Sequence, residues 1–323
     1  MQFPLSRRLA ILTVALLASA AHAQSYPSKP ITLIVPFAPG ASADGIARIV
    51  GKELSAALGQ PVVVENKPGS GGALGLIAAA KSAPDGHTIA FGATGAIAVN
   101  HHLPDAPPLN PAKDLAPIAK LADIPLVFVA SMQSGLGNLQ SYLKQSRATP
   151  GGLTFGTSGQ YTSQHLSGEL LSVMTGIQMQ AVPYRGSAPA VNDLLGGMLP
   201  TAMVDLTSAY QHIKAGKLVA LGITAPKRSK VAPELPTIAE EGVPGYSSPA
   251  WMGLFAPAAV PAAVKTRLND ALKTIMAKAE VQQQIMKLAA EPNYEDGATF
   301  GRFIAAESKK WGEVIAKMPA PKK

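Results

Sequence analysis

Ile31-Thr32-Leu33-Ile34-Val35-Pro36-Phe37-Ala38-Pro39-Gly40-Ala41-Ser42-Ala43-Asp44 is the stretch whose reading decides the fold. Its first five residues form an apolar run, the pattern of a parallel strand buried on both faces. Residues 36–42 form a loop of small residues. Ile46, Ile49, Val50, Leu54 and Leu58 then recur at helical spacing until Gly59 supplies a stop. Downstream, residues 62–64 read as a second short strand, 66–72 as a glycine-rich loop and 73–83 as a second helix. Pro84, Asp85 and Gly86 make a turn into a third strand over 88–91. The order βαβαβ predicts a doubly wound α/β sheet.

A proline-rich connection over 103–117 leads to the apolar run 125–130, expected to be the first crossing strand between two lobes. The pattern then restarts with a helix at 136–145, a strand at 153–155, a polar loop at 156–164 and a helix at 165–175. A short helix at 189–195 carries Pro189 in its first turn, where a missing N–H costs nothing, and 217–224 reads as a strand. Residues 233–253 are rich in proline and glycine, and the apolar run 252–255 is a candidate for the return crossing. The C-terminal part is helical. Val264, Leu268, Leu272, Ile275 and Met276 lie on one stripe, and Phe300, Phe303, Ile304, Trp311, Val314 and Ile315 on another; both stripes read as core packing. Residues 319–323 read as a frayed tail. The expected division is a signal peptide over 1–23, the N-terminal part of lobe 1 over 24–130, lobe 2 over 131–247, and a return to lobe 1 over 248–323.

The leader expectation rests on Arg7 and Arg8, an uncharged run over 9–20, and an A-x-A-like site at Ala21, His22 and Ala23. That run is shorter than the ~20 apolar residues a membrane span needs. The chain is expected in the periplasm, starting at Gln24, with either general or twin-arginine export open. Removing Arg7 and Arg8 lowers the formal net charge from +8 to +6. Such a modest excess suits anions or a solvated basic surface better than nucleic acid, since the basic residues are scattered and aromatics are few. The chain has no cysteine, which excludes disulfides, thiolate metal sites and a cysteine nucleophile. About 300 mature residues exceed one ordinary domain and can bury a core without staples.

Enzyme signatures are missing where they would sit. Gly69-Ser70-Gly71-Gly72 does not continue as G-x-G-x-x-G, and neither a phosphate-binding G-x-x-x-x-G-K-[ST] loop nor a G-x-S-x-G elbow occurs. Ser141-Tyr142-Leu143-Lys144 fits S-x-x-K without its companion motifs. His101 and His102 are adjacent, so they cannot share a helix face for a metal. No catalytic residue, metal site or cofactor is assigned.

Three loops of the first lobe share one chemistry: small residues that leave backbone N–H groups exposed at a helix start. They are the quoted loop, Pro68-Gly69-Ser70-Gly71-Gly72, and Gly92-Ala93-Thr94-Gly95. Such N–H groups and the positive helix end can hold a carboxylate without arginine, and in an open sheet these loops converge on one crevice. Ser42 is expected to cap the first helix. Asp44 either complements the dipole or accepts hydrogen bonds from water or ligand. In the second lobe, Ser158, Tyr161, Thr162 and Ser163 lie in a hydroxyl-rich loop before a helix that His165 opens. Tyr184 and Arg185 occupy a turn, and Asp205 follows an apolar strand. Arg185 is either a carboxylate fork or a surface charge.

The ordered series resembles the Bug receptors, the extracytoplasmic binding proteins of tripartite tricarboxylate transporters, over nearly the whole mature chain. It runs through Tyr26-Pro27-Ser28-Lys29-Pro30-Ile31, the loop at 36–44, Leu58-Gly59-Gln60-Pro61-Val62-Val63-Val64-Glu65-Asn66 and Pro84-Asp85-Gly86. It continues through Val182-Pro183-Tyr184-Arg185-Gly186, Ala215-Gly216-Lys217, Pro236-Thr237, Glu240, Gly242, Trp251, Gly253 and Pro257. The resemblance implies a type II periplasmic binding protein fold, two α/β lobes joined by a hinge. It implies a ligand carboxylate held chiefly by main-chain amides and ordered water around the first loop, and two membrane subunits as partners. The expected ligand is a small mono- or dicarboxylate, aliphatic or aromatic, and the expected receptor a monomer. A sensing receptor for a membrane signalling system is the alternative, and a hydrolase using Ser158 and His165 a more distant one. Two departures bear on the ligand: Ala41 where the family has a second glycine, and Tyr161 where it often has glycine. Tyr161 either stacks on or hydrogen-bonds the ligand, or points to solvent or packs between lobes.

Overall fold

The computed structural model describes residues 26–103 and 106–316. The leader expected over 1–23 and the tail over 319–323 lie outside the described residues. β1 (Ile31–Val35) pairs in parallel with β2 (Val62–Asn66) and with β3 (Thr88–Ala93), joined through α1 (Ser42–Leu58) and α2 (Ala73–Ala80). This is the βαβαβ order read from the sequence. Ile31, Leu33 and Val35 are fully buried, and Ile46, Val50 and Leu54 of α1 join them in one core. Gly59 ends α1 in the left-handed conformation at φ 72°, which glycine adopts without a side-chain clash.

Two sheets result. The first has six strands in the order β11-β4-β10-β3-β1-β2, and contains β4 (Leu115–Ile124), β10 (Ala250–Pro257) and β11 (Glu291–Asp296). The second has five in the order β7-β6-β8-β5-β9. Its members are β5 (Leu126–Ser131), β6 (Leu153–Thr157), β7 (Met179–Pro183), β8 (Thr201–Asp205) and β9 (Leu218–Ile223). β10 runs antiparallel to both β3 and β4, and β5 antiparallel to both β8 and β9. The second sheet carries α3 (Leu139–Ala148), α4 (Ser163–Thr175), α5 (Ser187–Leu195) and α6 (Leu206–Lys214).

The crossing departs from the sequence expectation. The run 125–130 does not bridge the sheets: β4 ends in the first at Ile124, and β5 begins in the second at Leu126. Pro125 alone separates them. β4 escaped the periodicity because it carries Pro117 and Lys120. Pro117 faces Phe255 at a shift of register, where a strand tolerates the missing N–H. The buried Lys120 ammonium is neutralised by Asp123 at 2.8 Å and Glu295 at 3.4 Å, and lies 4.5 Å from the centre of the Phe303 ring. β11 has no alternation to read because it is a half-buried edge strand.

The C-terminal stripes pack as expected. Val264, Leu268, Leu272, Ile275 and Met276 on α7 (Ala262–Met276) are buried against the first core. α8 (Ala279–Lys287) and α9 (Gly297–Ile315) follow, and Phe300 of α9 meets Trp251 of β10 edge-on at 5.2 Å. The ring nitrogens Nε2 of His101 and His102 both lie 2.9 Å from Ser308 Oγ on α9. No helix among the described residues is long and apolar enough to cross a membrane.

Candidate functional site

Parallel pairing brings the C-terminal ends of β1, β2 and β3 to one edge of the first sheet, and those of β6, β7 and β8 to one edge of the second. The two edges face each other. Ser42 Oγ donates to Asp205 Oδ2 at 2.5 Å, and the Tyr161 carbonyl lies against Gly71 and Gly95.

On the first side, Asp44 organises the loop. Gly40 N–H and Arg48 Nε each reach its Oδ2 at 3.0 Å, and Asn66 Nδ2 reaches its Oδ1 at 2.9 Å while also donating to the Phe37 carbonyl at 3.0 Å. Burial would raise the Asp44 pKa, but the hydrogen bonds from Arg48, Gly40 and Asn66 outweigh it and hold the carboxyl below its ordinary value. The N–H of Gly40 is therefore spent on Asp44, and that of Ala41 on the Ala38 carbonyl at 3.2 Å. Among the described residues, the N–H groups of Phe37, Ala38, Ser42 and Ala43 have no partner. They are the donors this edge offers an anion.

Ser42 does not cap α1. The cap position is Ala41, without a side-chain hydrogen bond. A cap needs its hydroxyl one residue before the first helical turn; Ser42 stands inside that turn, and its hydroxyl reaches the other sheet instead.

On the second side, Thr162 caps α4, and Ser163 is buried in its first turn. Gln164 Nε2 donates to Asp205 Oδ1. Ser187 Oγ accepts the Asp205 N–H at 3.1 Å and exchanges a 2.7 Å hydrogen bond with Ser158 Oγ. Burial raises the Asp205 carboxyl, and the donors Ser42 and Gln164 only partly oppose this. Tyr161 sits in the left-handed region at φ 62°, a strained position for a side chain of its size. Its N–H donates to His165 Nδ1 at 3.2 Å, and the two rings meet edge-on at 5.9 Å. Burial pushes His165 down to about 4, so its imidazole is neutral. Nε2 stands 3.6 Å from Glu169, beyond hydrogen-bond reach, and burial raises that carboxyl too. With its amide nitrogen turned toward them, Asn100 donates to the Gly95 carbonyl at 3.0 Å and the Tyr161 carbonyl at 3.3 Å.

Some expected residues stand apart from this network. Thr94 Oγ1 accepts the Trp251 N–H at 3.0 Å within its own sheet. The Tyr184 hydroxyl donates to Asp193 at 2.6 Å on α5, and burial together with Asp193 pushes it up to about 12. Arg185 is exposed, as are Ser70 and Pro39; Ala38 and Gly40 are exposed too, but their backbone groups belong to the loop that Asp44 organises. The Phe37 ring packs toward Gly72 and the first core. Ser158 and His165 do not pair as nucleophile and base, because each is engaged elsewhere. Among the described residues, no three acidic, histidine or cysteine side chains are grouped to hold a metal.

Sequence reasoning missed Arg48, Asn66, Asn100, Gln164 and Ser187 as parts of the site. Ser187 had a signal: like Ser42, it is the first helical residue after a loop at a strand's carboxyl end.

A family model described as the tripartite tricarboxylate transporter family receptor matches residues 46–319. The chain belongs to this family. BugT of Bordetella pertussis is 34% identical over 321 residues, covering 98% of each chain. Among solved structures, R. palustris Rpa4515 with adipate superposes with a TM-score of 0.84 at 31% identity, covering 90% of this chain and 98% of that one. MatC from Rhodopseudomonas palustris with bound malate gives 0.83 at 29%, covering 90% and 100%. The fold of the receptor is thus that of two-lobed periplasmic binding proteins, as the resemblance implied, with the two facing sheet edges as its cleft. As a receptor of this family, the protein turns to one another the first-lobe loop and the second-lobe hydroxyl loop that the sequence singled out.

Proposed function

We propose that this receptor captures a small organic carboxylate between its two sheets and passes it to the membrane subunits of a tripartite tricarboxylate-type transporter. One carboxylate rests on the N–H groups of Phe37, Ala38, Ser42 and Ala43. Ser158, Tyr161, Thr162, Ser163 and Asp205 shape the opposite end. The observation that carries this reading is the set of unpartnered N–H groups at the start of α1, facing the second sheet across the Ser42–Asp205 hydrogen bond. The adipate and malate held by two relatives support the ligand class. The protein works in the periplasm as a monomer after loss of residues 1–23, and uses no cofactor.

Closure follows from the same geometry. A ligand that touches both edges favours the closed arrangement, because only there are both sets of contacts made. Calorimetric titration of purified mature protein with a panel of aliphatic and aromatic carboxylates tests the reading: saturable binding of one class is expected, and no heat across the panel overturns it.

A further inference from the structure

Asp205 closes β8 at the N-cap of α6, yet its side chain makes no hydrogen bond to the N–H groups of that helix. It turns across the cleft instead. Oδ2 accepts from the Ser42 hydroxyl at 2.5 Å, and Oδ1 from the Gln164 amide. Both donors are neutral, and none of the ion pairs among the described residues involves Asp205. The charged and titratable groups on the surrounding elements are engaged elsewhere. Asp44 and Arg48 of α1 pair with each other at 3.0 Å, His165 of α4 accepts the Tyr161 N–H with Glu169 beyond it, and Asp193 of α5 takes the Tyr184 hydroxyl. Arg185 is exposed, and His212 and Lys214 stand in the last turn of α6, at its far end from Asp205.

Ser42 is the residue that the anion site and Asp205 share. Its N–H is one of the four unpartnered donors at the start of α1, while its hydroxyl is on Asp205. Asp205 belongs to the opposite wall and reaches the anchored carboxylate only through this hydroxyl. A carboxylate received by those N–H groups therefore sets a second negative charge one hydroxyl away from Asp205, with no cation between them. Two such charges in a closed cleft do not both stay ionised.

Resting on the carboxylate-receptor reading, we infer that the receptor takes up a proton together with its ligand: protonated Asp205 donates to Ser42 Oγ and so frees the Ser42 hydroxyl to donate to the ligand carboxylate. The balance is one proton from solvent for one carboxylate bound. The new O–H bond forms on Asp205 Oδ2. Ser42 keeps its own proton and turns it from Asp205 to the ligand oxygen, and Gln164 goes on donating to Oδ1. A hydroxyl has one proton to give and lone pairs to receive another, so Ser42 can serve two carboxyl groups only when one of them is protonated. Burial already raises the Asp205 carboxyl, and the ligand's charge raises it further. Affinity is therefore greatest on the acidic side and falls as pH rises from the ligand-free to the ligand-bound pKa of this group. Asp205 is a positioning residue that acts through Ser42.

Calorimetry of the mature protein in two buffers of different ionisation enthalpy counts the protons taken up, with butyrate, benzoate, adipate and malate as the probes. Wild type should take up between about 0.3 and 1 proton per ligand more than Asp205→Asn, a difference that cancels the titration of the ligand itself. Its affinity should fall by about tenfold or more between about pH 6 and about pH 8. Asp205→Asn carries an N–H donor where the protonated acid has its hydroxyl, so its affinity should vary by no more than about twofold over that range. Equal proton counts in the two proteins overturn the inference, since Asp205 would then only hold Ser42 in place. Binding by wild type with neither proton uptake nor pH dependence overturns it even where the variant does not fold. Binding of none of these probes, nor of any other carboxylate, overturns the receptor reading itself and this inference with it.

Discussion

The Tyr161 backbone N–H donates to Nδ1 of His165 at 3.2 Å, a hydrogen bond that a protonated imidazole cannot accept. That pairing holds Tyr161 in its left-handed conformation at the rim of the cleft, four residues ahead of the ring that fixes it. The shape of the second-lobe loop is therefore tied to the charge of one side chain.

Acid should loosen the protein through His165. Its folded pKa, pushed down to about 4, lies below the ordinary 6.5, so between those values the unfolded chain takes up a proton that the folded chain refuses. Stability from this group falls as pH drops through that window, by up to about 3 kcal/mol, and is not regained below it. Glu169 and Asp205, both raised by burial, act in the opposite sense. The difference between proteins is thus the useful quantity: in urea unfolding at about pH 7 and about pH 4.5, His165→Gln should lose roughly 2 kcal/mol less than wild type. Equal losses would mean that the imidazole is not what titrates.

Gly95→Ala should oppose closure. A Cβ there would stand 2.5 Å from the Tyr161 carbonyl, a backbone atom of the facing lobe, and parting the lobes is the simplest relief. Ligand affinity should fall by roughly tenfold or more, at about 1.4 kcal/mol per decade, while thermal unfolding of the ligand-free protein changes little. Small-angle scattering with saturating ligand should show a larger radius of gyration than wild type.

Removing the Asp44 carboxylate should disorder the anion loop. Asp44→Ala strips the partner from Gly40 N–H and from one donor each of Arg48 and Asn66. A cost of about 2 kcal/mol in urea unfolding is expected, together with weaker carboxylate binding. Wild-type affinity in a destabilised variant would detach the loop from the ligand.

Arg185→Ala is expected to change neither stability by more than about 0.5 kcal/mol nor affinity by more than about twofold, since the side chain is exposed. A large loss of carboxylate affinity on calorimetry would restore it to the site.

What the sequence discloses here follows periodicity. The apolar run of β1 and the spacing from Ile46 to Leu58 are local patterns, and they carry the βαβ order and the first loop. β4 is illegible because its lysine is tolerated only through Asp123 and Glu295, one of them on a strand far along the chain. The loops of the site are legible as glycine-rich and hydroxyl-rich segments, yet their wiring is not. Ser42 reads as a cap because the rule for caps is local, whereas its actual partner Asp205 lies 163 positions away. Gln164 and Ser187 acquire meaning only once separate segments of the second lobe meet around Asp205 and Ser158.

The passage at Pro125 and the late arrival of β10 give the receptor an order of assembly. The five strands of the second sheet come from one uninterrupted stretch, so that sheet can close as soon as β9 has been made. The first sheet must wait, because β10 runs between β3 and β4 and supplies the bonds both of them need. Until then β3 and β4 are raw edges, able to pair with other chains. A nascent or truncated chain ending before Ala250 would thus own one finished lobe and one sticky half-sheet, and would tend to aggregate rather than simply bind less well.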